Sequence, residues 1–183
     1  MGMPATFIRL AGCNLRCEGC DTCHKTWMET TLAEIIGKVT RPKAIITGGE
    51  PTRQMIELAG LISLLCEGGW EVHIETNGTK PLPREILSQL RYVVVSPKVG
   101  SNQNLNYWRD KKNVHLKFVI GKYPWCWNAT LLDEIVPYLE KERVWLMAYG
   151  IDQEMKGARD VWDLSLRLDV NYSDRLHIRL KGK

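Results

Sequence analysis

Short apolar runs rich in β-branched residues alternate with stretches of helical spacing along nearly the whole 183-residue chain. Ala5–Leu10, Lys43–Thr47, Glu71–Thr76, Tyr92–Ser96, Val114–Ile120, Val144–Ala148 and Leu176–Leu180 predict strands. Thr31–Val39, Arg53–Glu67, Pro83–Leu90, Ala129–Lys141 and Asp152–Leu168 predict helices. In the second of these, Met55, Leu58, Ala59, Ile62, Leu65 and Cys66 recur at helical spacing, and Gly68-Gly69 stops the pattern. Strand–helix alternation implies βαβ units, a parallel sheet and right-handed crossovers. Six or seven strands fall short of a full eight-fold barrel, which typically takes ~250 residues. The expected fold is therefore α/β: a partial, compact (β/α) barrel of about six parallel strands with helices outside, in a single domain over 1–183. Lys98–Asn113 is polar and reads as a long loop or lid.

Composition narrows the class only modestly. The chain is 44% hydrophobic and 25% charged, a globular balance that excludes disorder, collagen and coiled coil. No apolar run approaches the ~20 residues of a membrane span, and Met1–Leu10 has no basic stretch followed by a long apolar region. A soluble cytoplasmic protein is expected. Basic residues exceed acidic ones by 25 to 21. That excess is too scattered to indicate nucleic-acid binding, though it suits an anionic small molecule.

The cysteines carry more. Of six, Cys13, Cys17, Cys20 and Cys23 crowd into eleven residues, whereas Cys66 and Cys126 lie far apart. Clustering in a chain without a secretion signal points to a metal or redox centre rather than a disulfide framework. Cys66 sits in an apolar helical pattern and reads as a small core residue, and Cys126 has no evident partner. Cys13, Cys17 and Cys20 form a C-x3-C-x2-C loop. Three thiolates can hold three irons of a [4Fe–4S] cube and leave the fourth open to a chelating ligand. A four-cysteine zinc site including Cys23 would be cramped in one loop, and Cys23 could instead complete a saturated electron-transfer cluster. Both alternatives stand at this point.

Ligands of parallel α/β folds bind at the C-terminal ends of strands. The cysteine loop follows the first expected strand, Gly48-Gly49-Glu50-Pro51 the second, Asn77-Gly78 the third and Ser96-Pro97-Lys98 the fourth. Two glycines let backbone approach a ligand closely, and Glu50 offers a carboxylate to an ammonium group. Alone, such a strip is usually a turn. Some 30 residues after a cysteine triad, it resembles the strip with which radical S-adenosylmethionine (SAM) enzymes bind the methionine amine.

Within that superfamily the chain resembles the 7-carboxy-7-deazaguanine synthases. The likeness rests on Phe7–Cys17 (FIRLAGCNLRC), Cys20-Asp21-Thr22, Glu75–Thr79 (ETNGT), Ser96-Pro97-Lys98 and Tyr172–Ile178 (YSDRLHI). It implies conversion of 6-carboxy-5,6,7,8-tetrahydropterin to 7-carboxy-7-deazaguanine, a ring contraction with loss of ammonia that serves queuosine and other deazapurine pathways. A 5′-deoxyadenosyl radical would abstract the C6 hydrogen and later recover it. Cofactors so implied are a [4Fe–4S] cluster on Cys13, Cys17 and Cys20, SAM, and Mg²⁺ at Thr22. Mg²⁺ keeps much of its hydration, so one neutral hydroxyl is a reasonable protein ligand; Asp21 would be an outer-shell partner. Without the resemblance, Asp21-Thr22 reads as a helix cap.

The resemblance further assigns Arg9 and Thr47 to the substrate, a planar guanidinium suiting a carboxylate. It assigns Gly48, Gly49, Glu50, Ser96 and Lys98 to SAM, while Glu75 would either accept from the SAM ribose hydroxyls or cap a loop. His177 would line the pocket or be structural. Arg9 and Lys98 otherwise read as solvated charges. A flavodoxin or ferredoxin donor and a homodimer are implied, with Trp108, Trp125 or Trp127 as interface candidates; neither nucleic acid nor membrane is expected as a partner.

The family's opening strand with its pterin-contacting Gln-Gly-Glu-Gly stretch has no counterpart ahead of Phe7. Its Gln-Pro strip after strand six becomes Met147-Ala148-Tyr149. Gly19 stands where many radical SAM enzymes have an aromatic residue. Two other functions compete: a glycyl-radical activase, which shares the cysteine loop but needs no Thr22 with Mg²⁺, and a non-catalytic zinc or iron–sulfur module, which leaves Gly48–Pro51 and Ser96–Lys98 unexplained.

Overall fold

A computed structural model describes residues 3–20, 22, 27–101, 104–150 and 157–175. The expected strand Leu176–Leu180 and residues Asp21, Cys23 and His177 lie outside the described residues. The chain divides into two compact units, Met1–Val94 and Val95–Lys183.

The first unit begins with β1 (Thr6–Leu10), α1 (Leu32–Gly37), β2 (Lys43–Gly48), α2 (Met55–Glu67), β3 (Glu71–Thr76) and α3 (Arg84–Leu87), and β4 (Tyr92–Val95) closes it. β1 pairs with β2 and β2 with β3, all parallel, so that Ile8, Ile46 and Ile74 stand in one row. All three are buried, together with Leu58, Leu61, Ile62 and Leu65 of α2. A parallel strand covered by helices buries β-branched residues in this way. α1 starts at a capping box: Glu34 N–H donates to the Thr31 hydroxyl and Thr31 N–H donates back to the Glu34 carboxylate. Those bonds also hold the Glu34 carboxyl below its usual pKa, the backbone N–H of Thr31 first among them. A 3₁₀ turn over Pro51–Gln54 precedes α2, so the long helix opens at Met55 rather than Arg53.

The second unit carries α4 (Leu105–Trp108), β5 (Val114–Ile120), α5 (Ala129–Ile135), β6 (Val144–Ala148), α6 (Ala158–Leu168) and β7 (Asn171–Tyr172). β5, β6 and β7 are parallel, with Phe118 opposite Leu146 and Leu146 opposite Tyr172. In each unit the strands follow one another in chain order with helices between. This is the α/β arrangement of a (β/α) barrel with fewer than eight strands.

One strand was missed, and two expectations need correction. β7 was not legible, because two residues are too few for a period-2 pattern. The stretch Lys98–Asn113 is not wholly loop: α4 interrupts it, anchored by the fully buried Trp108. Nor are Trp108 and Trp127 free to line an interface. Trp127 is buried, donates its indole N–H to the Pro97 carbonyl at 2.8 Å and meets Phe118 edge-on at 4.9 Å. Cys126 is buried and Cys66 half-buried, their thiol pKa values both raised by burial, which fits the core reading given to Cys66 and extends it to Cys126.

Candidate cluster and cofactor site

The first unit's site begins with strand periodicity. Successive side chains point to opposite faces, so while Ile8, Ile46 and Ile74 face the core, Arg9, Thr47 and Glu75 fall on the other side. Arg9 lies opposite Thr47 in register, and the Thr47 hydroxyl donates to the Glu75 carboxylate at 3.2 Å. A cation, a hydroxyl and a carboxylate thus cross β1, β2 and β3 at their C-terminal ends. The Arg9 guanidinium also donates to the Thr22 hydroxyl at 3.4 Å. Two residues thirteen apart in sequence, assigned by resemblance to substrate and magnesium, therefore meet in space.

The loop after β1 is clamped to the Gly48-Gly49-Glu50 strip. Gly49 N–H donates to the Leu10 carbonyl at 3.0 Å and Glu50 N–H to the Gly12 carbonyl at 2.8 Å. A Cβ on Gly49 would sit 2.1 Å from the Gly12 oxygen, and one on Gly48 2.0 Å from the Leu10 oxygen. The two glycines are required by the approach of the cysteine loop itself, besides any ligand. Arg53 and Gln54 complete the clamp, donating to the carbonyls of Cys13 at 2.7 Å and Ala11 at 2.8 Å. Sequence reasoning missed both, since their roles depend on contacts about forty residues away.

Cys13 and Cys17 are half-buried and Cys20 is exposed, none of them in a disulfide. Cys20 N–H closes a turn on the Cys17 carbonyl, with Gly19 at φ +70°. A left-handed residue there favours glycine over an aromatic side chain, which accounts for that departure from the superfamily. Among the described residues, no three His, Cys, Asp or Glu side chains converge as a single metal ion would need. A cube instead presents its irons at separate corners, and soft thiolates on a braced loop suit it.

Glu50 occupies an unexpected place. Its carboxylate is fully buried and accepts four hydrogen bonds. One oxygen takes Thr52 N–H at 3.0 Å and the hydroxyls of Thr52 and Thr76, each at 2.7 Å; the other takes Asn77 N–H at 2.6 Å. Buried carboxylates need such compensation. The geometry makes Glu50 a strut tying the ends of β2 and β3 together, with neither carboxylate oxygen exposed.

Asn77, which Glu50 fixes through its backbone, reaches back to the cysteine loop. Its amide donates to Asn14 Oδ1 at 2.9 Å and contacts Cys13 Sγ at 4.0 Å, while Leu15 N–H donates to the same sulfur at 3.4 Å. Asn14 in turn donates to the Thr79 hydroxyl at 2.8 Å.

In the second unit, Lys98 Nζ donates to the Ser96 carbonyl at 2.7 Å and hydroxyl at 2.8 Å. The ammonium also lies 5.5 Å over the Trp125 ring, a cation–π distance. Ser96 and Lys98 are therefore brought together. Tyr149, standing in the Gln-Pro position, packs edge-on against Tyr123 and Trp125 at 5.0 and 5.8 Å.

No family model matches the chain. Curated relatives do. A 7-carboxy-7-deazaguanine synthase from Pyrobaculum aerophilum is 31% identical over 205 residues, covering 100% of this chain and 88% of the relative. One from Bacteroides thetaiotaomicron is 43% identical over 117 residues, 62% of this chain and 61% of the relative. One from Methanospirillum hungatei is 40% identical over 129 residues, 66% and 54%. The matches to the latter two thus span little more than half of each relative. Among solved structures, Streptococcus suis SuiB bound to S-adenosylmethionine aligns with a TM-score of 0.65 at 15% identity, over 93% of this chain and 51% of that one. At that identity, the likeness is one of fold.

Proposed function

The chain belongs to the 7-carboxy-7-deazaguanine synthase family, and from that premise we propose that it converts 6-carboxy-5,6,7,8-tetrahydropterin to 7-carboxy-7-deazaguanine within a single radical SAM domain. A [4Fe–4S] cluster and SAM, when bound, supply the 5′-deoxyadenosyl radical. Cys13, Cys17 and Cys20 would hold the cluster. Gly48 and Gly49 would offer backbone polar atoms to the methionine end of SAM, Glu75 its carboxylate to the ribose, and Ser96 and Lys98 further SAM contacts. Glu50 supports this strip from behind.

The observation that carries the substrate assignment is the Arg9–Thr22 contact. If Thr22 holds Mg²⁺, a divalent cation and a guanidinium share one corner. Like charges repel at that range, and an anion bridging them relieves the repulsion. The substrate's C6 carboxylate is such an anion, and Arg9 can receive it through paired N–H donors. Thr47, opposite Arg9, would fix the ring beside the carboxylate. A flavodoxin or ferredoxin would supply the electron. We place the enzyme in the cytoplasm as a homodimer, feeding queuosine or a related deazapurine.

Pterin binding to the cluster-loaded enzyme with SAM, measured with and without Mg²⁺, tests this corner. Arg9→Ala is expected to weaken binding at least tenfold and to reduce the Mg²⁺ dependence. A carboxylate-free pterin should bind no better with Mg²⁺ than without. Equal affinity for wild type and Arg9→Ala would overturn the substrate assignment, and SAM cleavage supported only by a protein partner would favour an activase.

A further inference from the structure

We infer that Asn77 is a positioning residue that sets the reduction potential of the cluster by directing an amide N–H at Cys13 Sγ. The inference rests on the reading that Cys13 is a cluster ligand.

The orientation of the amide follows from hydrogen-bond chemistry. Asn77 Oδ1 receives Thr79 N–H at 3.0 Å and the Thr79 hydroxyl at 2.7 Å. A backbone N–H can only donate, so the oxygen must face Thr79 and the amide nitrogen must face the cysteine loop. A closed ring enforces the choice. Asn77 donates to Asn14, Asn14 donates to the Thr79 hydroxyl, and that hydroxyl donates back to Asn77. The ring uses one amide hydrogen of Asn77. The second has Cys13 Sγ in reach, at 4.0 Å, the outer range for a sulfur acceptor.

Leu15 N–H reaches the same sulfur at 3.4 Å. Cys13 Sγ therefore has both a backbone donor and a side-chain donor. Glu50 prevents retreat of the latter, because its buried carboxylate holds Asn77 N–H at 2.6 Å. N–H donors aimed at a ligating sulfur stabilise the added negative charge of a reduced cluster and raise its potential. Asn77 is the donor that a point substitution can remove, since the one at Leu15 belongs to the backbone.

The test is redox titration of the anaerobically reconstituted full chain, following the reduced cluster by electron paramagnetic resonance. Asn77→Ala removes the donor, and Asn77→Asp keeps the shape but replaces the donor with an anion. Both midpoints are expected to fall, Asp further. For Asn77→Ala the reduced-to-oxidised ratio at fixed potential should drop threefold to tenfold, a tenfold drop being about 59 mV for one electron. Leu61→Ala, a cavity in the α2 core, should lower thermal stability without moving the midpoint. An unchanged midpoint in both Asn77 variants overturns the inference, as does failure of both to assemble a cluster that wild type assembles. Wild type without a cluster overturns it together with the reading of Cys13. Pterin turnover does not enter, so this result and the substrate assignment fail or stand separately.

Discussion

Glu50 and Gly12 are joined by a 2.8 Å hydrogen bond from the Glu50 backbone N–H to the Gly12 carbonyl, immediately before the first cysteine of the loop. The bond makes the strip after β2 the floor on which the cysteine loop rests. Two functions assigned separately from sequence, cluster binding after β1 and SAM binding after β2, are therefore mechanically one.

Gly49→Ala should disrupt the seat of the cysteine loop. Its Cβ would lie 2.1 Å from the Gly12 oxygen and 3.0 Å from Cys13 N, both backbone atoms that cannot rotate away. Overpacking of this kind costs about 1–3 kcal/mol. Iron and sulfide per chain after reconstitution should fall sharply, and the thermal midpoint should fall with them. Full cluster loading in the variant would show that the loop does not need this floor.

Glu50→Gln should destabilise the fold without acting on ligand charge. A carboxamide has one acceptor oxygen where the carboxylate has two, so at least one of the donors from Thr52, Thr76 and Asn77 loses its partner in the core. Leaving a buried donor unpaired costs roughly 1–3 kcal/mol. Urea unfolding should report that loss. If Glu50 touched the SAM ammonium instead, SAM affinity would collapse while stability held.

His115 should give the second unit a pH-dependent stability. Its Nδ1 accepts the Trp145 indole N–H at 3.1 Å, and burial first, then the Arg143 charge, lowers its pKa below the ordinary value. The unfolded chain takes up this proton near pH 6.5 and the folded chain only at lower pH. Its contribution is thus complete at neutral pH and lost as pH falls below about 6.5. His115→Gln, which keeps an acceptor for Trp145, should flatten urea stability between pH 5.5 and 7.5. An unchanged slope would show that other groups dominate.

Much of this was legible before any coordinates. The strands at Glu71–Thr76, Val114–Ile120 and Val144–Ala148 fall where the β-branched runs end, because buried parallel strands leave a continuous apolar signature. The Arg9–Thr47–Glu75 row follows from strand register once the strands are known. The clamp by Arg53 and Gln54 was not legible, nor was the ring of Asn14, Asn77 and Thr79. Each joins residues forty or more positions apart through single side chains, and such pairing leaves no local period. The bracing of Glu50 by Thr76 and Asn77 was not legible either, because its burial is set by β3, which a local reading cannot weigh. Trp108 was lost in a polar stretch for the converse reason: one anchoring aromatic does not make a pattern.

Turnover by the anaerobically reconstituted protein tests the central claim most directly. With dithionite, SAM, Mg²⁺ and 6-carboxy-5,6,7,8-tetrahydropterin, mass spectrometry should show 7-carboxy-7-deazaguanine accumulating beyond the amount of SAM consumed, since SAM is recovered each cycle. SAM cleavage to 5′-deoxyadenosine with no deazaguanine would contradict the proposed substrate.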